Sequence, residues 1–151
     1  TKILQSNEVV FLVKAFTNIP KSSFFAGYKG SSVCPIGLQV GSLGHIGGYI
    51  GFNTNTNNEF SISGGITTRI TKFDKDYNNL HLTTGIGYGY WAYNYSIGIY
   101  ELPAMGSSLV GEIGAIINFD NINLNLGYFM RSKINGVKLN NAVTFGLGFT
   151  I

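Results

Sequence analysis

A chain of 151 residues suits one domain, but with 21 glycines, 44% hydrophobic and only 11% charged residues it falls short of the roughly 25% charge that keeps a soluble surface wet. Its net charge of +3 comes from scattered lysines, which argues against a nucleic-acid partner. No apolar run approaches the roughly 18 residues of a membrane-spanning helix, so a chain this apolar has one membrane solution left, a closed β-barrel.

Period-two alternation recurs along the chain, and no helical stripe interrupts it. A first strand is predicted over 9–17, followed by a longer loop through residue 35. Strands over 36–43 and 46–53 flank a tight turn at Gly44. The polar run Asn53-Thr54-Asn55-Thr56-Asn57-Asn58 leads into a strand over 59–72. There Phe60, Ile62, Ile66 and Ile70 oppose Ser61, Ser63, Thr67 and Arg69. A short connection around Asp74 precedes a strand over 79–93, with Leu82, Ile86, Tyr88 and Tyr90 opposing His81, Gly85, Gly87, Gly89 and Trp91. A longer loop is predicted near residues 94–107, then a strand over 107–118. Asp120-Asn121 turns tightly into a strand over 121–131, and a final strand over 141–151 sets Val143, Phe145, Leu147, Phe149 and Ile151 against alanine, threonine and glycine.

Short and long connections alternate, and eight strands bring both termini to the short-turn end. The predicted fold is therefore all-β: an eight-stranded antiparallel up-and-down transmembrane β-barrel with short periplasmic turns and longer extracellular loops. Residues 1–151 form one outer-membrane barrel domain on this reading, with 1–8 as a periplasmic lead-in. A soluble barrel would turn the aliphatic face inward and leave a wall of glycine, threonine, asparagine and serine, poorly solvated and bare at its edges. Reversed, aliphatic and aromatic side chains meet lipid while small and polar ones fill a narrow lumen. Tyr88, Tyr90, Trp91 and Tyr93 near the long-loop end, and Phe119 near the short-turn end, are expected as interface aromatics.

The runs Pro35-Ile36-Gly37-Leu38-Gln39-Val40-Gly41 and Ile46-Gly47-Gly48-Tyr49-Ile50, with Thr84-Gly85-Ile86-Gly87-Tyr88-Gly89-Tyr90 and Gly111-Glu112-Ile113-Gly114, resemble the small OmpA-like outer-membrane barrels of Bacteroidota. The aromatic-rich last strand completes the likeness, which covers about three quarters of the chain; here it ends in Ile151, with Phe149 two residues earlier. The resemblance implies location and architecture and no reaction.

Charges inside strands point into the lumen on this reading, where a lone charge costs several kcal/mol and partners are expected. Arg69, Glu112 and His81 are predicted to form a structural polar network. Eight strands leave an interior just wide enough for side chains, which favours packing over conduction. The histidines His45 and His81 are read as a turn residue and a lumen hydrogen-bonding residue, so no catalysis is expected. Cys34 is the only cysteine, which leaves no disulfide and no cysteine-based metal cluster, and no cofactor is expected.

The expected role is a non-catalytic anchor or accessory subunit of a larger outer-membrane complex, with outer-membrane lipid and other outer-membrane or periplasmic proteins as partners. Gly48, Gly64, Gly111 and Ala115 sit on the lipid side of their strands as candidate barrel–barrel contacts; glycine that merely helps a narrow barrel curve is the plain alternative. A surface-binding barrel acting through loops, with Phe24, Phe25 and Tyr28 as contacts, is the second functional reading, and a small pore the third.

Overall fold

The computed structural model describes residues 23–73 and 78–151. Eight antiparallel strands run in chain order: β1 (Ser23–Ser31), β2 (Ile36–Leu43), β3 (Ile46–Thr54), β4 (Phe60–Lys72), β5 (Asn79–Ile97), β6 (Tyr100–Phe119), β7 (Ile122–Arg131) and β8 (Ala142–Thr150). Each pairs with its sequence neighbour, and β8 pairs back onto β1, so the sheet closes as an up-and-down barrel.

Seven strands fall where alternation places them. The predicted strand over 9–17 lies outside the described residues, and the ring closes without it. The strand that seals the barrel is 23–31, a stretch expected to be loop. Phe24, Phe25 and Tyr28 are accordingly strand residues rather than loop contacts: Phe24 and Tyr28 face outward, while Phe25 is buried inside.

A second correction concerns the loop expected near 94–107. β5 and β6 continue through it and turn at Gly98-Ile99, with Gly98 at φ 62° in the left-handed region that glycine adopts without penalty. β4 leaves β5 at Tyr90 and β7 leaves β6 at Val110, so the remainder of β5 and β6 stands above the barrel rim as a two-stranded ribbon. The β7–β8 connection carries its own hairpin, a bridge between Ile134 and Val137 around Asn135-Gly136, both at positive φ as a type I′ turn requires.

The outer wall is apolar and the inner wall small or polar. Outward Phe60 and Ile70 bound a band of roughly 33 Å along β4, or about 25 Å along the axis at a tilt of about 40°, the height of a membrane's apolar layer. Inward positions are so crowded that a methyl group on Gly148 would lie 2.7 Å from the Ala26 carbonyl oxygen, and one on Gly85 would overlap the Tyr49 hydroxyl. The inward glycines thus bring strands close and let large side chains fold across the lumen.

Candidate functional site

Three inward side chains meet across the middle of the lumen. Lys29 on β1 donates through Nζ to Glu112 Oε2 on β6 at 2.8 Å, and the Tyr49 hydroxyl on β3 donates to the same oxygen at 2.9 Å. The ammonium also lies 5.2 Å from the Tyr49 ring centroid. Both charged side chains are at most 5% exposed, so the pair is neutralised where an isolated charge could not stand.

This network replaces the one expected from sequence. Glu112 is held by Lys29 and Tyr49, not by Arg69 and His81. The reason is register: Glu112 lies opposite Gly85 on β5, whereas His81 lies opposite Ile116, roughly 13 Å along the strand. His81 is buried and its Nε2 pairs with Asn79 Oδ1 at 2.7 Å. Arg69 is half-buried opposite His81, beside a β-bulge between Arg69 and Thr71, and its backbone N–H donates to the carbonyl of turn residue His45.

Toward the short-turn end the lumen is filled by Phe25, Leu43, Tyr49 and Ile116 and by a polar ladder. Asn123 Nδ2 donates to Thr150 Oγ1, which donates to Asn118 Oδ1 at 2.6 Å, and Asn125 Nδ2 donates to Gln39. Alternation makes this possible: a β-strand places every second residue inside, and here those are asparagine, threonine and glycine.

The opposite end is capped. Trp91, Val110, Phe129 and Ala142 from the barrel close against Cys34, Ile134 and Leu139. The Trp91 and Phe129 rings meet edge to face at 5.7 Å, and the Arg131 guanidinium lies 4.8 Å over Trp91. Loops are tied over this plug: Glu59 Oε1 accepts the Ala92 N–H at 2.8 Å, and Asn55 Nδ2 reaches both Glu59 and the Val33 carbonyl. Burial, with the Glu59 carboxylate as the second cause, pushes the Cys34 thiol up to about 11. It is a packed, protonated side chain. Trp91 is therefore not an interface aromatic but wholly buried in the plug, and Tyr93 packs on its edge. Both have odd numbers on β5, the inward parity.

On the outer wall, Tyr88, Tyr90 and Phe119 are exposed. A methyl on Gly48, Gly64 or Gly111 would meet nothing closer than 3.4 Å, so these three open outward, as does half-exposed Ala115. Gly64 and Gly111 flank Ile86, 78% exposed, in one row across β4, β5 and β6. Gly48 lies in a hollow of ≈ 590 Å³ bordered by Phe24, Val40 and Ile50. Among the described residues no group of histidine, cysteine, aspartate and glutamate is arranged to hold a metal ion.

The fold is similar to that of the N-terminal β-barrel domain of Pseudomonas aeruginosa OprF, with a TM-score of 0.58 at 9% identity over 89% of this chain and 100% of that one. The Yersinia pestis attachment invasion locus protein Ail, solved with the heparin analogue sucrose octasulfate, matches at 0.48 with 19% identity, over 86% of this chain and 97% of that one. Neisserial surface protein A matches at 0.48 with 12% identity, over 86% and 94%. No protein-family model matches the sequence, and no curated protein matches it. The likeness to OprF is one of fold.

Proposed function

We propose that this chain is a non-catalytic barrel of the bacterial outer membrane, of the Bacteroidota type that its strand motifs resemble, and that it serves as an anchor or accessory subunit of a larger envelope complex. Its termini face the periplasm and its capped end faces outward. The apolar outer wall supports the membrane setting, because a surface this rich in exposed isoleucine, leucine and phenylalanine is stable only against lipid.

The observation that carries the role is the filled lumen. A neutralised ion pair at mid-height and an aromatic plug at one end support a barrel that does not conduct and works through its wall, its rim and its termini. Glycine hollows beside Ile86 offer a neighbouring barrel close van der Waals approach.

Mild-detergent extraction of native outer membranes, affinity purification and mass spectrometry test this reading. A defined set of proteins at constant ratio is expected, with loss of a partner on Gly111→Trp if the hollows are the contact. A lone barrel recovered repeatedly under gentle conditions overturns it. Planar-bilayer recordings are expected to show no conductance steps. The ribbon above the rim favours a second reading, a surface-binding barrel.

A further inference from the structure

The ribbon reverses the polarity of the barrel below it. In the wall, the even residues of β5 face out and, Thr84 aside, are apolar, as Leu82, Ile86, Tyr88 and Tyr90. Above Tyr90 the outward positions become Ala92, Asn94 and Ser96, while the face turned over the barrel mouth carries Tyr93, Tyr95 and Ile97. β6 supplies Tyr100 and Leu102 to that same face. β6 adds exposed Met105 beside Ala92 on the outward side, and above them Asn94, Ser96 and Glu101 make that side polar, as a ribbon that has left the lipid would be; the apolar face it keeps is only covered at its base. There the Asn135 side chain donates to the Tyr93 hydroxyl at 2.8 Å, and Ile134 packs beneath Gly106. Higher up, Ile97 is 57% and Tyr100 69% exposed.

The two edges of the ribbon are not equivalent. The Ala92 N–H points away from β6, since it reaches the Glu59 carboxylate. Backbone groups alternate sides along an antiparallel strand, so Asn94 and Ser96 direct both N–H and C=O to the same open edge, where they meet no backbone partner among the described residues. On β6, Leu109 faces away from β5, because it exchanges bonds with Ser132. By the same alternation Pro103 and Glu101 face that edge, one without an N–H and one charged, the usual devices that keep a sheet edge from pairing. One edge is guarded and the other is open.

We propose that the open β5 edge at Asn94–Ser96 takes up an extended segment of another protein as an added strand, whose apolar side chains cover Tyr95 and Ile97. The main chain supplies the bonds and the ribbon's inner face selects alternating apolar residues. Glu101 is the only charged residue between 91 and 107, so recognition owes little to charge. A second copy in the same membrane is a poor occupant, since a two-fold pair would carry its β5 strands in the same direction and could not form the antiparallel ladder. The proposal rests on the outer-membrane reading only for placing this edge outside the cell.

The test uses the full chain in lipid nanodiscs and a short fluorescent peptide of alternating valine and threonine, read by anisotropy. Ser96→Pro removes the open N–H without touching the β5–β6 ladder, because residue 96 is turned away from β6. Binding is expected to weaken about tenfold in Ser96→Pro, to be unchanged in Ser96→Ala, and to persist at about 0.5 M salt. Equal binding by wild type and Ser96→Pro overturns the proposal, as does equal binding to empty nanodiscs, dimerisation that depends on Ser96, or no binding at all. Failure of the outer-membrane reading shows separately. In a Cys34→Ala background, Ser96→Cys on intact cells then resists an impermeant maleimide, whatever the peptide does in nanodiscs.

Discussion

The Lys29–Glu112 pair supports a quantitative prediction. Two unit charges 2.8 Å apart attract by about 6 kcal/mol at an effective dielectric near 20, and most of that offsets the cost of taking both out of water. The pair together should therefore contribute little, whereas either partner left alone in the lumen should be costly. We expect Lys29→Met and Glu112→Gln each to destabilise the barrel by about 3–5 kcal/mol. The double variant should cost less than the sum of the two by about 2–3 kcal/mol. Tyr49→Phe removes only the second hydrogen bond to Oε2 and should cost about 1.5–3 kcal/mol. Trp91, the single tryptophan, is buried in the plug and is itself unchanged in all these variants, so it serves as a fluorescent reporter of urea unfolding in phospholipid vesicles. A coupling below about 0.5 kcal/mol between the two single variants would refute the reasoning, because additivity at that level means that neither charge senses the other.

Inward and outward glycines should behave oppositely. Gly148→Ala sets a methyl 2.7 Å from a backbone oxygen and should destabilise by about 1–3 kcal/mol in the same assay. In Gly111→Ala the nearest atom is the flexible Met130 Cε at 3.5 Å, and the change should stay within about 0.5 kcal/mol. Similar effects at the two sites would mean that their facing is wrong. Cys34 should resist alkylation in the folded barrel. With its thiol raised from 9.0 to about 11, only about 1% is thiolate at pH 9, so iodoacetamide should react at least about fifty-fold more slowly than with the unfolded chain. A folded thiol is thus the neutral partner of the plug, and its contribution to stability is lost as pH rises from about 9 toward 11, where the unfolded chain alone can ionise. Rapid labelling at pH 9 without unfolding would contradict this. Trp91→Ala opens the plug between β5 and β7 and should cost about 3–5 kcal/mol, seen as a lower urea midpoint by gel mobility of the folded barrel.

Alternation and composition carried most of the architecture. Leu124 against Asn123, or Phe145 against Thr144, needs no tertiary information to declare a strand. A shortage of charge then forces the apolar face outward. Two segments escaped for physical reasons. In 23–31 the faces do not segregate: Phe24 and Phe25 are equally apolar on opposite sides, and Tyr28 stands beside Lys29, so hydropathy assigns no period. That hid Lys29, the true partner of Glu112, although Gly27, Lys29 and Ser31 do alternate as small or polar inward positions. In β5 the alternation continues to Ile97, but its sign flips above Tyr90, where β4 no longer pairs with β5 and the barrel mouth becomes the apolar side. A pattern that reverses looks like one that ends. Which charges meet, which strand seals the ring and which ribbon edge is open depend on register between strands far apart in sequence. Each of those is set by closure of the sheet rather than by any local stretch of residues.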